Sequence, residues 1–204
     1  MSRKESTAYV WFDTEFTSLE LDEAHLLQVS VMLTDNRLKR ITPPEEDLNF
    51  HIRLPEDAVL SPWVQKNIPE LIKKCRSRSA VPVGEVDAKL TAFVDRWCGT
   101  PTKTIQKRPL LAGNSIHTDW MLARRFFPTF TGRLHYRLLD VSALKIQWLD
   151  LTDGEEFKKD DPHTIKKYFP EADLRRLRQH DACYDIVASA AELAYYRSHM
   201  NFTV

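Results

Sequence analysis

The chain has no long apolar run, and residues 1–5 are too polar for a secretory signal. A membrane-spanning helix needs about 20 consecutive apolar residues, so neither a membrane span nor a membrane partner is expected. Cysteine is also scarce: Cys75, Cys98 and Cys183 are dispersed and odd in number. Such a set favours free thiols in a reducing compartment over a disulfide framework, which predicts a cytoplasmic protein.

Net charge is absent as well. The chain has 29 Lys and Arg residues against 29 Asp and Glu residues, so its formal net charge is zero. Proteins that follow long nucleic acids usually carry a basic excess, because phosphate neutralisation supplies much of their affinity. A short substrate or a local basic pocket therefore fits this balance better than a long polymer.

Glycine, with five residues, forms no low-complexity segment, and the length suits one well-cored domain spanning 1–204.

The clearest feature that is present is the segment 9–16, YVWFDTEF, which is typical of a β-strand. Asp13 and Glu15 lie two positions apart in it, so their side chains project from the same face. Two like charges side by side are costly unless a cation neutralises them, and oxygen-only ligands suit Mg²⁺ or Mn²⁺. The alternative, left open by this segment alone, is the solvated face of an edge strand.

The remaining pattern predicts an α/β fold, because three strands come first and further strands then alternate with helices. The first three strands have short connections, which is typical of an antiparallel meander. The expected strands are 9–16, 26–34, 49–54, 109–113 and 138–139. The expected helices are 62–74, 87–98, 115–127, 141–149 and 181–199. Residues 150–170 are polar and follow no clear period.

Two further carboxylates and one histidine stand at helix starts. Asp119 lies just inside a helix that follows a buried strand, where α/β sheets usually place ligands. Asp185 lies on the last helix. His180 and Asp185 would point apart on a regular helix, so His180 is expected to precede it, with Asp181 as the N-cap.

The order of these residues resembles that of the DEDDh 3′→5′ exonucleases, and most closely the oligoribonucleases. Segment 11–17, WFDTEFT, is similar to the first motif of that family, and 113–119, GNSIHTD, is similar to the second. Segment 135–145, HYRLLDVSALK, resembles a block peculiar to oligoribonucleases, and 191–197, AELAYYR, resembles their ending. The resemblance covers nearly the whole chain except roughly 148–178.

Three departures from the family pattern concern substrate length more than chemistry. Ser18 stands where the family usually has glycine, and His117 and Thr118 replace the residues usually found before the second-motif aspartate. The segment 149–178 looks longer than its counterpart.

The resemblance implies an RNase H-like exonuclease fold, with a mixed central sheet, antiparallel first strands and flanking helices. It also implies hydrolysis of short oligoribonucleotides to 5′-mononucleotides with two divalent ions, Mg²⁺ or Mn²⁺. Asp13 would bridge both ions, Glu15 and Asp185 would hold the ion that carries the attacking water, and Asp119 would serve the second ion. His180 would be the general base, since an ordinary histidine pKa of about 6.5 suits proton removal near neutral pH.

The resemblance further implies a homodimer in which each subunit completes the partner's active site. Leu19 would wedge against a base and Trp63 would stack on one. The residues that would contact the terminal phosphate are His135, Tyr136 and Arg137 from the partner, completed by Ser115 and Ser142. The sequence leaves open that Leu19 and Trp63 belong to the core, and that 135–137 is an ordinary strand edge.

Three other functions remain to be distinguished. A DEDDh exonuclease could trim longer RNA or single-stranded DNA, and an RNase H-like module could bind without catalysis. An unrelated globular protein could carry these carboxylates merely as surface charges.

Overall fold

The computed structural model describes residues 7–99, 104–174 and 181–200. Its sheet has five strands in the order β3-β2-β1-β4-β5. β1 (Ala8–Phe16) is antiparallel to β2 (Leu26–Asp35), which is antiparallel to β3 (Leu48–His51). On its other side β1 is parallel to β4 (Leu110–Gly113), which is parallel to β5 (Leu138–Asp140). The predicted mixed sheet with antiparallel first strands is confirmed.

Helices lie against both faces of this sheet. The α-helices are α1 (Pro62–Asn67), α2 (Pro69–Cys75), α3 (Val83–Cys98), α4 (Ile116–Phe126), α5 (Pro128–Thr131), α6 (Val141–Leu151), α7 (Pro162–Tyr168) and α8 (Ala182–His199). Short 3₁₀ turns occur at Pro44–Glu46 and Ile105–Lys107. Among the described residues, none of the helices is both long and apolar enough to cross a bilayer.

β1 is a central strand, so the edge-strand interpretation of its carboxylates is wrong. Its side chains alternate between two cores. Val10 and Phe12 pack into the core formed with α3, α4 and α5, whereas Trp11 packs into the core formed with α7 and α8. All three are at most 1% exposed. Asp13 continues the Trp11 face and therefore faces the α8 side of the sheet.

The end of β4 opens the space beside these carboxylates. The β1–β4 pairing stops at Trp11 and Ala112, so β1 extends beyond it. Gly113 closes β4 at a point of tight backbone approach, because an added Cβ would lie 2.9 Å from the Phe12 carbonyl oxygen. The α/β fold thus places Asp13 at the carboxyl end of two parallel strands, the usual ligand position of such sheets.

Several predicted boundaries differ from the structure, and α3 starts at Val83 rather than at residue 87. The single helix expected over 62–74 is two helices, because Pro69 cannot donate to the α1 ladder and Ile68 leaves helical geometry (φ −128°, ψ 44°). β3 ends at His51 rather than at residue 54. The segment 150–170 contains α7, whose start is capped by the Asp161 side chain.

Candidate active site

Three carboxylates from two elements converge at the carboxyl end of β1. One oxygen each of Asp13, Glu15 and Asp185 lies within 4.8 Å of the other two. Asp13 and Glu15 share a face because of strand alternation, and α8 packs across that face with Asp185 in its first turn. The structure therefore brings together these three carboxylates, as the sequence pattern predicted. His180, the predicted general base, lies outside the described residues.

The cluster holds more negative charge than its surroundings balance. Burial raises the pKa of Asp13 well above its ordinary value, and Asp119, Asp185 and Glu15 raise it further. Burial, followed by the charges of Asp185, Asp181 and Asp119, raises the pKa of Glu15 to about 8. Such shifts arise where carboxylates lack a compensating cation. Closely spaced carboxylate oxygens are the donor set that hard divalent ions prefer, so these residues fit a divalent metal.

Asp119 approaches from α4, on the other side of β1. It is 6% exposed, and burial raises its pKa to about 7. Its Oδ1 accepts hydrogen bonds from the Thr14 backbone N–H at 2.9 Å and from the Thr14 hydroxyl at 2.6 Å. Its charge also raises the pKa of Asp13. Asp119 therefore borders the cluster without belonging to the three residues whose oxygens meet.

The start of α8 is fixed by a polar network from β2. The Asp181 side chain accepts from the Cys183 backbone N–H at 3.0 Å, which confirms its predicted capping role. Buried Gln28 donates to the same Asp181 oxygen at 3.1 Å. The Cys183 thiol lies 3.2 Å from the Ser30 hydroxyl, and burial raises its pKa to about 12. The thiol therefore stays protonated near neutral pH and is a poor nucleophile.

Ser115 and Ser142 meet at the starts of α4 and α6. Their hydroxyl oxygens are 3.2 Å apart, and the Ser115 backbone N–H points at the Ser142 oxygen at 3.0 Å. Asp140 joins them by accepting from the backbone N–H of each, at 3.0 and 2.9 Å. Ser115 precedes α4 in left-handed geometry (φ 48°, ψ 34°), and its side chain makes no capping hydrogen bond to that helix.

The segment 135–137 precedes β5, the edge strand. His135 is buried, and its Nδ1 accepts from the Arg137 backbone N–H at 2.9 Å. The rings of His135 and Tyr136 stack at 4.5 Å. The Arg137 guanidinium lies 5.7 Å from the Tyr136 ring centre, and the Tyr136 side chain is 63% exposed. An aromatic ring and a cation thus project outward from one ordered turn.

Leu19 and Trp63 are exposed, which excludes the alternative that they are core residues. Their exposed fractions are 86% and 53%. Leu19 lies just after β1 and Trp63 lies in the first turn of α1. A hydrogen bond from the backbone N–H of Ser61, the residue before α1, to the Thr17 carbonyl at 3.1 Å joins the two segments. Two large apolar side chains are therefore exposed on linked segments, and one of them, Leu19, lies four residues after Glu15.

Comparison with known proteins identifies the family. The family model described as an exonuclease matches residues 10–193. The chain is 32% identical to an oligoribonuclease of Nocardia farcinica, over 92% of this chain and 78% of that protein. It is 31% identical to a probable oligoribonuclease of Schizosaccharomyces pombe, over 93% of this chain and 67% of that protein. This chain belongs to the oligoribonuclease family of exonucleases.

Solved structures share the fold of this oligoribonuclease family member at low sequence identity. Product-bound exonuclease I has a TM-score of 0.62 and 13% identity, covering 95% of this chain and 44% of that chain. S. pombe Pop2p in its Mg²⁺- and Mn²⁺-bound form has a TM-score of 0.59 and 14% identity, covering 93% of this chain and 82% of that chain. The predicted exonuclease fold is confirmed, and membership of the family excludes the unrelated globular protein.

Sequence reasoning missed three residues that border the site of this oligoribonuclease family member. Thr14 stands between the two first-strand carboxylates and orients Asp119. Glu192 is fully buried on α8 and pairs with Lys159 at 3.6 Å. One signal was available for Glu192, since a glutamate two helical turns after Asp185 lies on the same face of the helix.

Proposed function

We propose that this chain is a 3′→5′ exoribonuclease that uses divalent metal ions to hydrolyse short oligoribonucleotides to 5′-mononucleotides. The observation that carries the proposal is the convergence of Asp13, Glu15 and Asp185 at the carboxyl end of β1. Asp119 borders the same three groups and is oriented by Thr14. Membership of the oligoribonuclease family supplies the substrate class.

Mg²⁺ or Mn²⁺ is the proposed metal, because every donor in the cluster is a carboxylate oxygen. Asp13, Glu15 and Asp185 would hold one ion, and Asp13 and Asp119 would hold the second. When bound, two such ions stabilise the attacking and the leaving oxygen of an in-line displacement at phosphorus. The protein holds Asp119 by a double hydrogen bond and anchors α8 through Asp181 and Gln28, so that the donors keep their relative positions.

His180 is proposed as the general base. It directly precedes Asp181, which caps α8, and Asp185 follows within the first turn of that helix. His180→Ala should lower kcat much more than it raises KM, and should remove the rise of rate with pH. His163, exposed on α7, is the matched control, and His163→Ala should retain the wild-type profile. An unchanged kcat in His180→Ala would show that another group removes the proton from the attacking water.

A preference for short RNA follows from the exposed contacts and the absence of a basic excess. Leu19 and Trp63 would hold bases, and Ser115 and Ser142 would bind the terminal phosphate together with Arg137 of a second subunit. Charge-assisted contacts from arginine to phosphate are stronger than neutral ones. A substrate whose two ends both reach their contacts is therefore favoured over a longer one.

We also propose that the active form is a homodimer. Four large apolar residues in the block around β5 and α6 are exposed, with exposed fractions between 40% and 76%: Tyr136, Ile146, Leu149 and Leu151. β5 itself is an open sheet edge. A second copy of the chain would cover these groups and bring His135, Tyr136 and Arg137 to the neighbouring site.

Two broader assignments accompany the proposal. A single exonuclease domain over residues 1–204 is supported by the family match over residues 10–193. A cytoplasmic location is supported by the cysteines, since Cys75, Cys98 and Cys183 are all free thiols.

The test is kcat/KM for 5′-phosphorylated RNA as a dinucleotide, a pentamer and a 20-mer, with Mn²⁺ and with EDTA. Efficiency should be highest for the dinucleotide, should vanish in EDTA, and should be lost in Asp13→Asn. Efficiency that rises with length would favour an exonuclease for longer RNA, and preference for a matched DNA series would favour single-stranded DNA. Binding without any turnover would favour the non-catalytic module, and full activity in EDTA would contradict metal dependence.

A further inference from the structure

Glu192 is a buried charge that the proposed metal site does not use. It lies on α8 two turns after Asp185, on the same face, and it is 0% exposed. Its Oε2 accepts from the Asn114 side-chain amide at 2.8 Å, and its Oε1 accepts from the Tyr196 hydroxyl at 3.1 Å. A buried carboxylate needs a cation as well as hydrogen bonds, and Lys159 supplies one at 3.6 Å.

Hydrogen bonds from α6 and α8 anchor the backbone of the segment that carries Lys159. The Tyr184 hydroxyl, on α8, donates to the Lys159 carbonyl at 2.6 Å. The carbonyl of Glu155 accepts from the Tyr195 hydroxyl at 2.6 Å and from the Trp148 indole N–H at 3.0 Å. Both ends of the stretch 155–159 are therefore fastened to aromatic residues of α6 and α8. Lys159 is thus carried by an anchored segment, unlike a lysine on an ordinary surface loop.

The positive charge of Lys159 acts on the carboxylate cluster, and its anchoring partners lead toward that cluster. Burial and neighbouring carboxylates raise the pKa of Asp13, whereas the positive charge of Lys159 lowers it. Asn114, which shares Glu192 with Lys159, directly follows β4 at the end that borders Asp13. The Lys159 side chain is 33% exposed while that of Glu192 is 1% exposed. Lys159 is therefore paired with a buried anion while its own side chain remains partly accessible to solvent.

We propose that Lys159 binds a phosphate oxygen of the substrate beside the carboxylate cluster, and that Glu192 and Asn114 hold its ammonium group in position. This inference rests on the proposed function. An ammonium group carries three donors and acts on phosphate as a point charge. Glu192 lies 3.6 Å away, beyond ordinary hydrogen-bond distance, and so orients the ammonium group electrostatically.

The competing explanation is structural: Lys159 would only neutralise Glu192. The two explanations predict different results for a variant that lacks both charges. Lys159→Met alone leaves Glu192 buried without its cation, which destabilises the fold whatever else Lys159 does. Lys159→Met combined with Glu192→Gln removes both charges, so a purely structural role predicts recovery of stability and of substrate binding together. A substrate contact predicts recovery of stability alone.

The experiment measures the affinity of the full chain for a fluorescently labelled 5′-phosphorylated RNA dinucleotide, with Ca²⁺ replacing the catalytic metal, and the thermal midpoint of each variant. The double variant should unfold like the wild type and bind about tenfold or more weakly, as expected for a lost hydrogen bond to a charged group. Lys159→Arg should retain most of the affinity. Lys158→Met, at the exposed neighbouring lysine, should match the wild type.

Wild-type affinity in the double variant would overturn the inference, as would equal losses in Lys158→Met and Lys159→Met. Turnover of the same dinucleotide with Mn²⁺, measured separately, tests the proposed function. Binding by the wild type without turnover overturns the proposed function alone, because the affinity series still decides the role of Lys159. Absence of dinucleotide binding by the wild type overturns both.

Discussion

Thr14 binds Asp119 through two hydrogen bonds that end on the same carboxylate oxygen. The backbone N–H lies 2.9 Å and the hydroxyl 2.6 Å from Oδ1. Thr14 stands between Asp13 and Glu15 on β1, and its side chain points to the opposite face. Three consecutive residues of one strand therefore serve both sides of the site: two supply carboxylates on the α8 face, and the third orients a carboxylate from α4.

The Thr14 hydroxyl should matter for metal binding more than for folding. Thr14→Val keeps the shape and the backbone bond but removes one of the two hydrogen bonds to Asp119. A hydrogen bond to a charged group contributes about 1.5 to 3 kcal/mol, so Mn²⁺ affinity and kcat/KM should fall about tenfold or more. Thr14→Ser retains the hydroxyl and should stay near the wild type. Calorimetric Mn²⁺ titration of both variants is the measurement, and equal affinities would contradict an orienting role.

Metal affinity should rise steeply with pH. The pKa of Glu15 is raised to about 8 and that of Asp119 to about 7, so both are partly protonated near neutral pH without metal. Metal binding requires the deprotonated carboxylates and must release their protons. Mn²⁺ affinity should therefore increase between about pH 6 and pH 8. Titrations in buffers of different ionisation enthalpy would count the protons, and release of none would contradict the raised pKa values.

The same shifts fix the sign of the pH dependence of stability. The folded-state pKa of Glu15, about 8, lies above its unfolded value, so the folded protein binds more protons than the unfolded one between these values. In EDTA, stability should fall as pH rises through that window, and Mn²⁺ should offset the loss. Glu15→Gln cannot titrate and should flatten the curve. Urea unfolding at several pH values measures this, and an equal slope in the variant would show that other groups dominate.

Local residue patterns in the sequence predicted many of the strands, helices and caps that carry the site. Asp181 was predicted as a cap because it precedes a periodic apolar stretch, and its side chain does accept from the Cys183 backbone N–H. The strand character of β1 followed from aromatic and β-branched residues. The break at Ile68 was missed although Pro69 was visible, because the apolar period runs through both helices.

The parts of the site that depend on tertiary contacts could not be predicted. Nothing local indicates that Thr14 meets Asp119, 105 residues later, or that Lys159 meets Glu192. Ser115 matches a capping residue by type, but its left-handed backbone turns its N–H toward Asp140 and Ser142 instead. These pairings are set by how α4, α6 and α8 pack on the sheet, which sequence periods do not specify.

Trp63 should contribute to substrate binding and little to stability. It is 53% exposed, so its replacement removes little core packing. Stacking of a base on an aromatic side chain contributes about 1 to 3 kcal/mol. Trp63→Ala should thus raise KM for the dinucleotide about fivefold or more and leave kcat and the thermal midpoint nearly unchanged, whereas Trp63→Phe should retain most of the affinity. An unchanged KM in Trp63→Ala would contradict the stacking role.

Asp87 should be a stability residue without a catalytic role. The residue is 8% exposed, and its carboxylate accepts from the backbone N–H groups of Thr129 and Phe130 at 3.1 and 2.8 Å, which caps α5 against α3. Asp87→Ala leaves these donors buried and should cost about 1 to 3 kcal/mol in urea unfolding. Asp95 is the control on the same helix: its ion pair with Arg133 is partly exposed, so Asp95→Ala should cost less than about 1 kcal/mol. Equal costs would contradict the capping role.

Shared active sites should be detectable by mixing two inactive variants. Tyr136 and Arg137 project from the edge of the sheet beside β5, whereas Asp13 lies on the central strand, so the two sets can meet across a subunit boundary. Asp13→Asn abolishes the carboxylate site of its own subunit, and Arg137→Ala removes the cation that its subunit would lend to the partner. Neither homodimer has an intact site. A heterodimer combines the intact carboxylates of the Arg137→Ala subunit with the Arg137 of the Asp13→Asn subunit, so one of its two sites is complete.

Exchange at equal concentrations gives heterodimers as about half of all dimers if the pairing is random, and activity should then approach a quarter of the wild-type value. Mixing Asp13→Asn with Asp185→Asn is the control, because both changes disable the carboxylate site of the subunit that carries them and no combination restores one. A monomeric mass at working concentration, or equal activity in the test and control mixtures, would contradict the shared site.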